Sequence, residues 1–182
     1  MSALYRRPAR RIAGDRREPR LMPNIFEPDF DQQRDEPGFR SLRSRLGWQL
    51  ASQRLGASIW EIEPGQAAYP YHYHLAEEEL LIVLMGRPSV RTDGEWRALE
   101  PGDVLAFPRG REGGHQVANW GDVPARFLAV STSGTPDIVV YPDSGKLGAF
   151  ERLPDRNGVW EVFRVADAVE YHHGERPPAP PG

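Results

Sequence analysis

The chain has no cysteine, which excludes disulfides and thiolate metal ligation, so any metal must be held by nitrogen and oxygen. It also lacks a long hydrophobic run. The longest, Leu80 to Met85, is six residues, far short of the roughly 18 that a membrane-spanning helix requires. The opening stretch MSALYRRPARRIAGDRREPR has an arginine pair but no apolar segment behind it. It therefore fails as a secretory or twin-arginine signal, and the reading is a cytoplasmic protein with no membrane partner. Helical periodicity is scarce throughout, and only five histidines occur in 182 residues.

Charge is uneven. The first 21 residues hold seven arginines against Asp15 and Glu18, a net of +5; with −3 overall, the other 161 carry −8. Residues 1–22 are expected to be a disordered basic tail, an upstream extension before a start at Met22. The acidic remainder argues against a nucleic-acid partner. Apolar residues at 39% and charged residues at 27% suit a folded domain with a sizeable core.

Glycine and proline, eighteen of each, favour short elements joined by tight turns. Residues 23–46 are polar and broken by Pro28, Pro37 and Gly38, so they are expected as an extended N-terminal arm. From Gly47 onward, alternating runs end at turn pairs such as Pro64-Gly65, Asp93-Gly94 and Pro101-Gly102. This predicts eight or nine short strands between residues 48 and 141, an all-β sandwich, jelly roll or barrel. The sequence YPDSGK at 141–146 reads as a turn rather than a phosphate loop. Residues 142–182 are expected as a C-terminal extension on the barrel, with one extra strand and a helical turn around NGVWEVFRVADA.

Two histidines occupy alternate positions, 72 and 74, with three glutamates shortly after them. Alternate residues of a strand share a face, about 6 to 7 Å apart, close enough to share one ion. Glu79 heads the row Glu79, Leu81, Val83, Met85. A carboxylate on an otherwise apolar face is costly unless a cation compensates it. An antiparallel return is expected to lay Glu79 beside the histidines. Glu77 and Glu78 compete for the role, with Glu77 expected in the turn. His115 opens a strand after the loop PRGREGG, whereas His172 and His173, adjacent in the tail, read as surface residues. Asn119 follows His115 by four and is expected on the same inward face, lining the pocket. Trp60, Phe107, Phe127 and Met85 are expected as apolar walls. Arg109 and Arg111 read as loop residues near the mouth, able to clamp a carboxylate; Tyr71 and Tyr73 are expected to face away.

These residues stand in two ordered frames: Gly65, six residues, His72-x-His74, four residues, Glu79, six residues, Gly86; then Gly102, Pro108-x-Gly110, His115 and Asn119. The pair resembles the two motifs of the cupins over about residues 47–135, with one extra residue after Gly65 and two between Gly110 and His115. The resemblance implies a double-stranded β-helix (jelly-roll) cupin barrel over residues 47–141, with His72, His74, Glu79 and His115 as ligands of one divalent transition metal. Three imidazoles and a carboxylate suit Fe, Mn, Ni, Zn or Cu and disfavour Ca and Mg. It further implies a small-molecule substrate or ligand and a homodimer. The chemistry is either that of a metal-dependent enzyme, of dioxygenase or isomerase type, or that of a non-catalytic binding or sensing protein.

Overall fold

A computed structural model describes residues 22–134, 136–151 and 158–178. The expected basic tail, apart from Met22, lies outside these residues. The segment expected as an extended arm folds into a hairpin of β1 (Gln32–Glu36) and β2 (Phe39–Ser44). Pro37 and Gly38 make its turn, with Gly38 at a φ of +80°. A single helical turn, α1 (Leu46–Gln49), follows. Ten strands then run to Tyr141: β3 (Leu55–Ile62), β4 (Gln66–Ala67), β5 (Tyr73–His74), β6 (Glu79–Met85), β7 (Ser89–Thr92), β8 (Glu95–Ala98), β9 (Val104–Phe107), β10 (Gln116–Asn119), β11 (Ala125–Thr132) and β12 (Asp137–Tyr141). Asp93 and Gly94, at φ of 48° and 84°, close the β7–β8 hairpin with both central residues left-handed, the arrangement that matches strand twist. Beyond the expected strands, β13 (Lys146–Phe150) pairs with β12; β14 (Trp160–Arg164), the extra strand expected in the C-terminal extension, pairs with β13 and is followed by a 3₁₀ turn at Val165–Asp167.

All the pairings are antiparallel. One sheet runs β1-β2-β3-β11-β6-β9; the others run β4-β10-β7-β8 and β14-β13-β12-β5. An isolated antiparallel bridge between His72 and His115 stitches the latter two together. Register sets the inner face of the six-stranded sheet. Glu79 lies level with Ser131 and Phe107, Leu81 with Ala129 and Leu105, and Val83 with Phe127, itself opposite Trp60. Below Glu79 this face is apolar and packs with Ala68, Val90, Leu99 and Val117 into one buried cluster. Each fully buried side chain of this size contributes about 1.5–3 kcal/mol.

Met85 is not part of the wall expected of it. A bulge between Arg126 and Phe127 places Met85 opposite Arg126, whose guanidinium bonds Glu61 on the outer face. The extra residue turns the end of β6 outward, and Met85 is 40% exposed. The N-terminal hairpin extends the sheet from β3, so it does not cover the outer face of β6; Leu80 and Val104 there remain exposed.

Gly86 ends β6 at a φ of +71°, and a Cβ there would lie 2.6 Å from the Pro124 carbonyl oxygen and 2.8 Å from the Ala125 Cα. Gly65 has a similar φ of +75° but open space around it. Gly86→Ala should therefore cost about 2–4 kcal/mol in chemical denaturation, and Gly65→Ala about 1 kcal/mol. Equal losses would mean that the backbone conformation alone, not the contact with Pro124 and Ala125, decides the residue.

Candidate metal centre

His72 and His115 face each other as a hydrogen-bonded antiparallel pair. The His72 N–H donates to the His115 carbonyl at 3.1 Å, and the His115 N–H to the His72 carbonyl at 2.9 Å. Residues exchanging both bonds send their side chains to one face, and the two ring centroids are 4.8 Å apart. His74, two residues on, shares that face with its ring centroid 4.9 Å from that of His72. The acid arrives differently from the sequence expectation. β5 pairs with β12, while β6 pairs with β11 and β9. Glu79 is thus not beside the histidines on a returning strand; it reaches them across the barrel interior from the other sheet. Its Oε2 lies 3.4 Å from Nε2 of His74 and 3.4 Å from Nε2 of His115. His72, His74 and Glu79 each offer a ligand atom within 4.8 Å of the others. All four residues named from the sequence are brought together.

The protons of the three rings are committed elsewhere. Nδ1 of His72 is 2.9 Å from the Pro70 carbonyl, and Nδ1 of His115 is 2.9 Å from the Gly113 carbonyl. A carbonyl only accepts, so each Nδ1 carries the hydrogen. Nδ1 of His74 is 2.5 Å from Oδ2 of Asp137, whose Oδ1 accepts the Ala76 N–H. In the neutral rings every Nε2 is then a lone pair, and Glu79 Oε2 is buried with no hydrogen-bond donor. Lone pairs and a carboxylate oxygen converging in a buried space repel one another until a cation sits among them. Burial lowers the pKa of His115, with Glu79 and the Gly113 carbonyl opposing and His74 assisting; this keeps its ring neutral and able to ligate. The donor set fits a divalent transition metal.

Asp137 is the residue that sequence reading missed most plainly. It is fully buried and heads the inward row Asp137, Val139, Tyr141, with Val139 directly opposite His74. An acid opening an apolar alternating row is the signal that singled out Glu79, and DIVVYP carries it too. Glu77, expected in a turn, is 2% exposed, with Oε2 4.0 Å from Nδ1 of His74. It belongs with Asp137 behind the ring, on the side away from Glu79.

Aromatic side chains shape the space in front. Phe107 stacks on His115 at 3.8 Å and 8°. Tyr69 sets its edge against His72 at 4.8 Å, His115 at 5.6 Å and Trp60 at 5.5 Å. Burial, reinforced by Glu79, holds the Tyr69 phenol well above its usual pKa despite the opposing pull of Arg43, so it stays protonated as a donor. Tyr141 lies 6.0 Å from His72 and is likewise shifted upward by burial. Trp60, Phe107 and Phe127 are buried in the core, as expected of walls. Asn119 is a correction: it does not line the pocket. Its Nδ2 donates to the carbonyls of Ile62 and Val123, and its Oδ1 accepts the Gly121 N–H, which makes it a buried strut between loops. Arg109 is an exposed loop residue, and Arg111 is an exposed residue at the start of a 3₁₀ turn (Arg111–Gly113). Tyr71 lies beneath the Arg91 guanidinium at 4.4 Å, and His172 and His173 are exposed.

A family model described as a cupin domain matches residues 58–131. Among solved structures, the chain is similar to a provisionally assigned sugar phosphate isomerase from Acidithiobacillus ferrooxidans, with 27% identity over 74% of this chain and 83% of that one and a TM-score of 0.65. It is also similar to a sugar phosphate isomerase of the cupin superfamily from Silicibacter pomeroyi, with 29% identity over 70% of this chain and 78% of that one and a TM-score of 0.63. No curated protein matches the chain. The matched segment runs from the strand that carries Trp60 to the one that carries Ser131, and it includes His72, His74, Glu79 and His115. The barrel around them has the fold of those neighbours, and residues 58–131 form a cupin domain.

Proposed function

We propose that the chain is a metal-dependent isomerase acting on a phosphorylated sugar, with one divalent transition metal held by His72, His74, Glu79 and His115. The reaction class rests on one observation: two structural neighbours covering most of both chains are sugar phosphate isomerases by description. They favour isomerisation over the oxygenase chemistry that the same donor set allows. The metal rests on Glu79 Oε2, buried without a donor among imidazole nitrogens. When bound, the ion supplies Lewis-acid polarisation of a substrate oxygen.

The remaining work falls to the chain. Asp137 holds His74 in one tautomer and one orientation. Tyr69, kept protonated, donates a hydrogen bond to a sugar oxygen in front of His72. Phe107, Trp60 and Phe127 keep water from the reacting carbons. Isomerisation between an aldose and a ketose moves one proton between adjacent carbons and one between their oxygens, with no net oxidation, and it needs no co-reactant. The same reading takes the protein as cytoplasmic and as a homodimer joined over the outer face of β6 and β9, where Leu80 and Val104 are exposed.

The reconstituted protein is expected to bind one divalent ion per chain by elemental analysis. Glu79→Gln should weaken that binding at least about 100-fold while leaving the metal-free protein no less stable, because an amide donates to the imidazole lone pairs. Asp137→Asn should weaken it about 10- to 100-fold. An unchanged ion content in Glu79→Gln would remove the metal assignment.

In deuterated water, the metal-loaded protein should incorporate deuterium at the carbon next to the carbonyl of a phosphorylated aldose or ketose. No exchange with any divalent metal, alongside tight binding of the sugar, would instead favour a binding or sensing role. Light scattering is expected to return the mass of a dimer; a monomer would remove the proposed interface.

A further inference from the structure

The N-terminal hairpin carries two arginines onto the inner face of the barrel. Arg43 lies directly opposite Trp60, and Arg34 is level with Ser41, itself opposite Ile62. The Arg43 guanidinium sits 4.7 Å from the Trp60 ring centroid and donates from Nε to Ser58 Oγ at 2.9 Å. The Arg34 guanidinium sits 5.8 Å from the same ring and donates from Nη1 to the Ala68 carbonyl at 3.3 Å. Trp60 meets Tyr69, and Tyr69 meets His72. Along this chain of contacts two aromatic rings, Trp60 and Tyr69, stand between the guanidinium groups and His72.

Arg34 is unlike its neighbours. Arg40 pairs with Asp35 at 3.0 Å, Arg45 with Asp31 at 3.1 Å, and Arg126 with Glu61. Arg34 is half-buried, and among the described residues its hydrogen bond goes to a carbonyl and no carboxylate lies within ion-pairing distance. Burial lowers its pKa, with the fields of Tyr141 and the exposed Glu36 opposing, yet a guanidinium remains charged. A half-buried guanidinium with no carboxylate in ion-pairing distance among the described residues is unfavourable on its own, and it becomes favourable when an oxyanion that accepts two parallel N–H bonds, such as a phosphate, is supplied.

We propose that Arg34, with Arg43 beside it on Trp60, is the phosphate-holding residue of the pocket and sets its preference for a substrate bearing a phosphate monoester. This rests on the reading of the site as one for phosphorylated sugars. The metal end would hold the reacting oxygens and the hairpin end the phosphate, with Trp60 and Tyr69 under the carbon chain between them. Specificity for the anion then comes from a segment outside the residues that match the cupin domain.

Inorganic phosphate is the probe, titrated calorimetrically into the wild-type protein, Arg34→Met and Arg34→Lys at matched metal content. Phosphate that reaches the metal contributes equally in all three, so differences report on Arg34. Arg34→Met, which keeps an apolar stem on Trp60, should bind phosphate at least about tenfold more weakly; Arg34→Lys, a point charge without the fork, should bind about threefold more weakly. Both should retain the wild-type metal content. If Arg34→Met folds poorly, Arg34→Lys carries the comparison. Equal phosphate affinity in all three proteins, or no phosphate binding by the wild type, overturns the assignment. So does acetate, at matched ionic strength, binding as tightly as phosphate and with the same dependence on Arg34. Phosphate binding that depends on Arg34, in a protein that exchanges no deuterium into phosphorylated sugars, supports the subsite and overturns only the isomerase reading.

Discussion

Each of the three imidazoles at the heart of this barrel spends its Nδ1 hydrogen on an acceptor behind it: the carbonyls of Pro70 and Gly113 and the carboxylate of Asp137. That commitment turns lone pairs toward a common point already faced by Glu79 Oε2, an oxygen with no donor of its own. Interiors rarely tolerate such a convergence, because unpaired acceptors cost roughly 1–3 kcal/mol each in a low-dielectric setting. The arrangement makes sense as a preformed cation site. The architecture around it can be read as the means of holding these four groups at fixed distances.

Two sheets supply the parts. The histidines lie where the β4-β10-β7-β8 and β14-β13-β12-β5 sheets meet, and the backbone pair between His72 and His115 is itself the stitch. Glu79 comes from the opposite wall, at the end of a row that is otherwise apolar. A change in the packing of that wall moves the carboxylate relative to the imidazoles, which would link core packing to the affinity of the proposed metal site. The N-terminal hairpin adds to the same wall at β3, so the barrel interior is lined at one end by ligands and at the other by guanidinium groups. Between them lie aromatic faces suited to an uncharged carbon skeleton.

The four ligand candidates were legible because each broke a local rule. Two histidines shared a strand face, an acid headed an apolar row, and a third histidine opened a strand after a glycine-rich loop. Asp137 broke the same rule as Glu79 and was equally available from the alternation of DIVVYP. Other readings failed where the deciding contact was remote. Met85 kept its alternation along β6 only until the bulge opposite Phe127 reversed it. Asn119 sat on the inward face, yet the carbonyls of Ile62 and Val123 claimed its amide. The polar segment 23–46 offered too few apolar residues to announce a strand. It pairs because β3 presents an open edge and because Arg43 has Trp60 to lie on.

By itself the sequence determined the all-β class, the turn positions and the ligand chemistry, since strand alternation, glycine and proline placement and the absence of cysteine are local properties. Tertiary structure alone decided which wall each candidate ligand occupies, which nitrogen of each ring is turned to the site, and that Arg34 has no carboxylate within ion-pairing distance among the described residues. Those depend on pairings between residues such as Glu79 and His115, or Asp137 and His74, that are tens of positions apart. Strand register and the closure of the barrel bring them together, and periodicity along one strand carries no record of its neighbours.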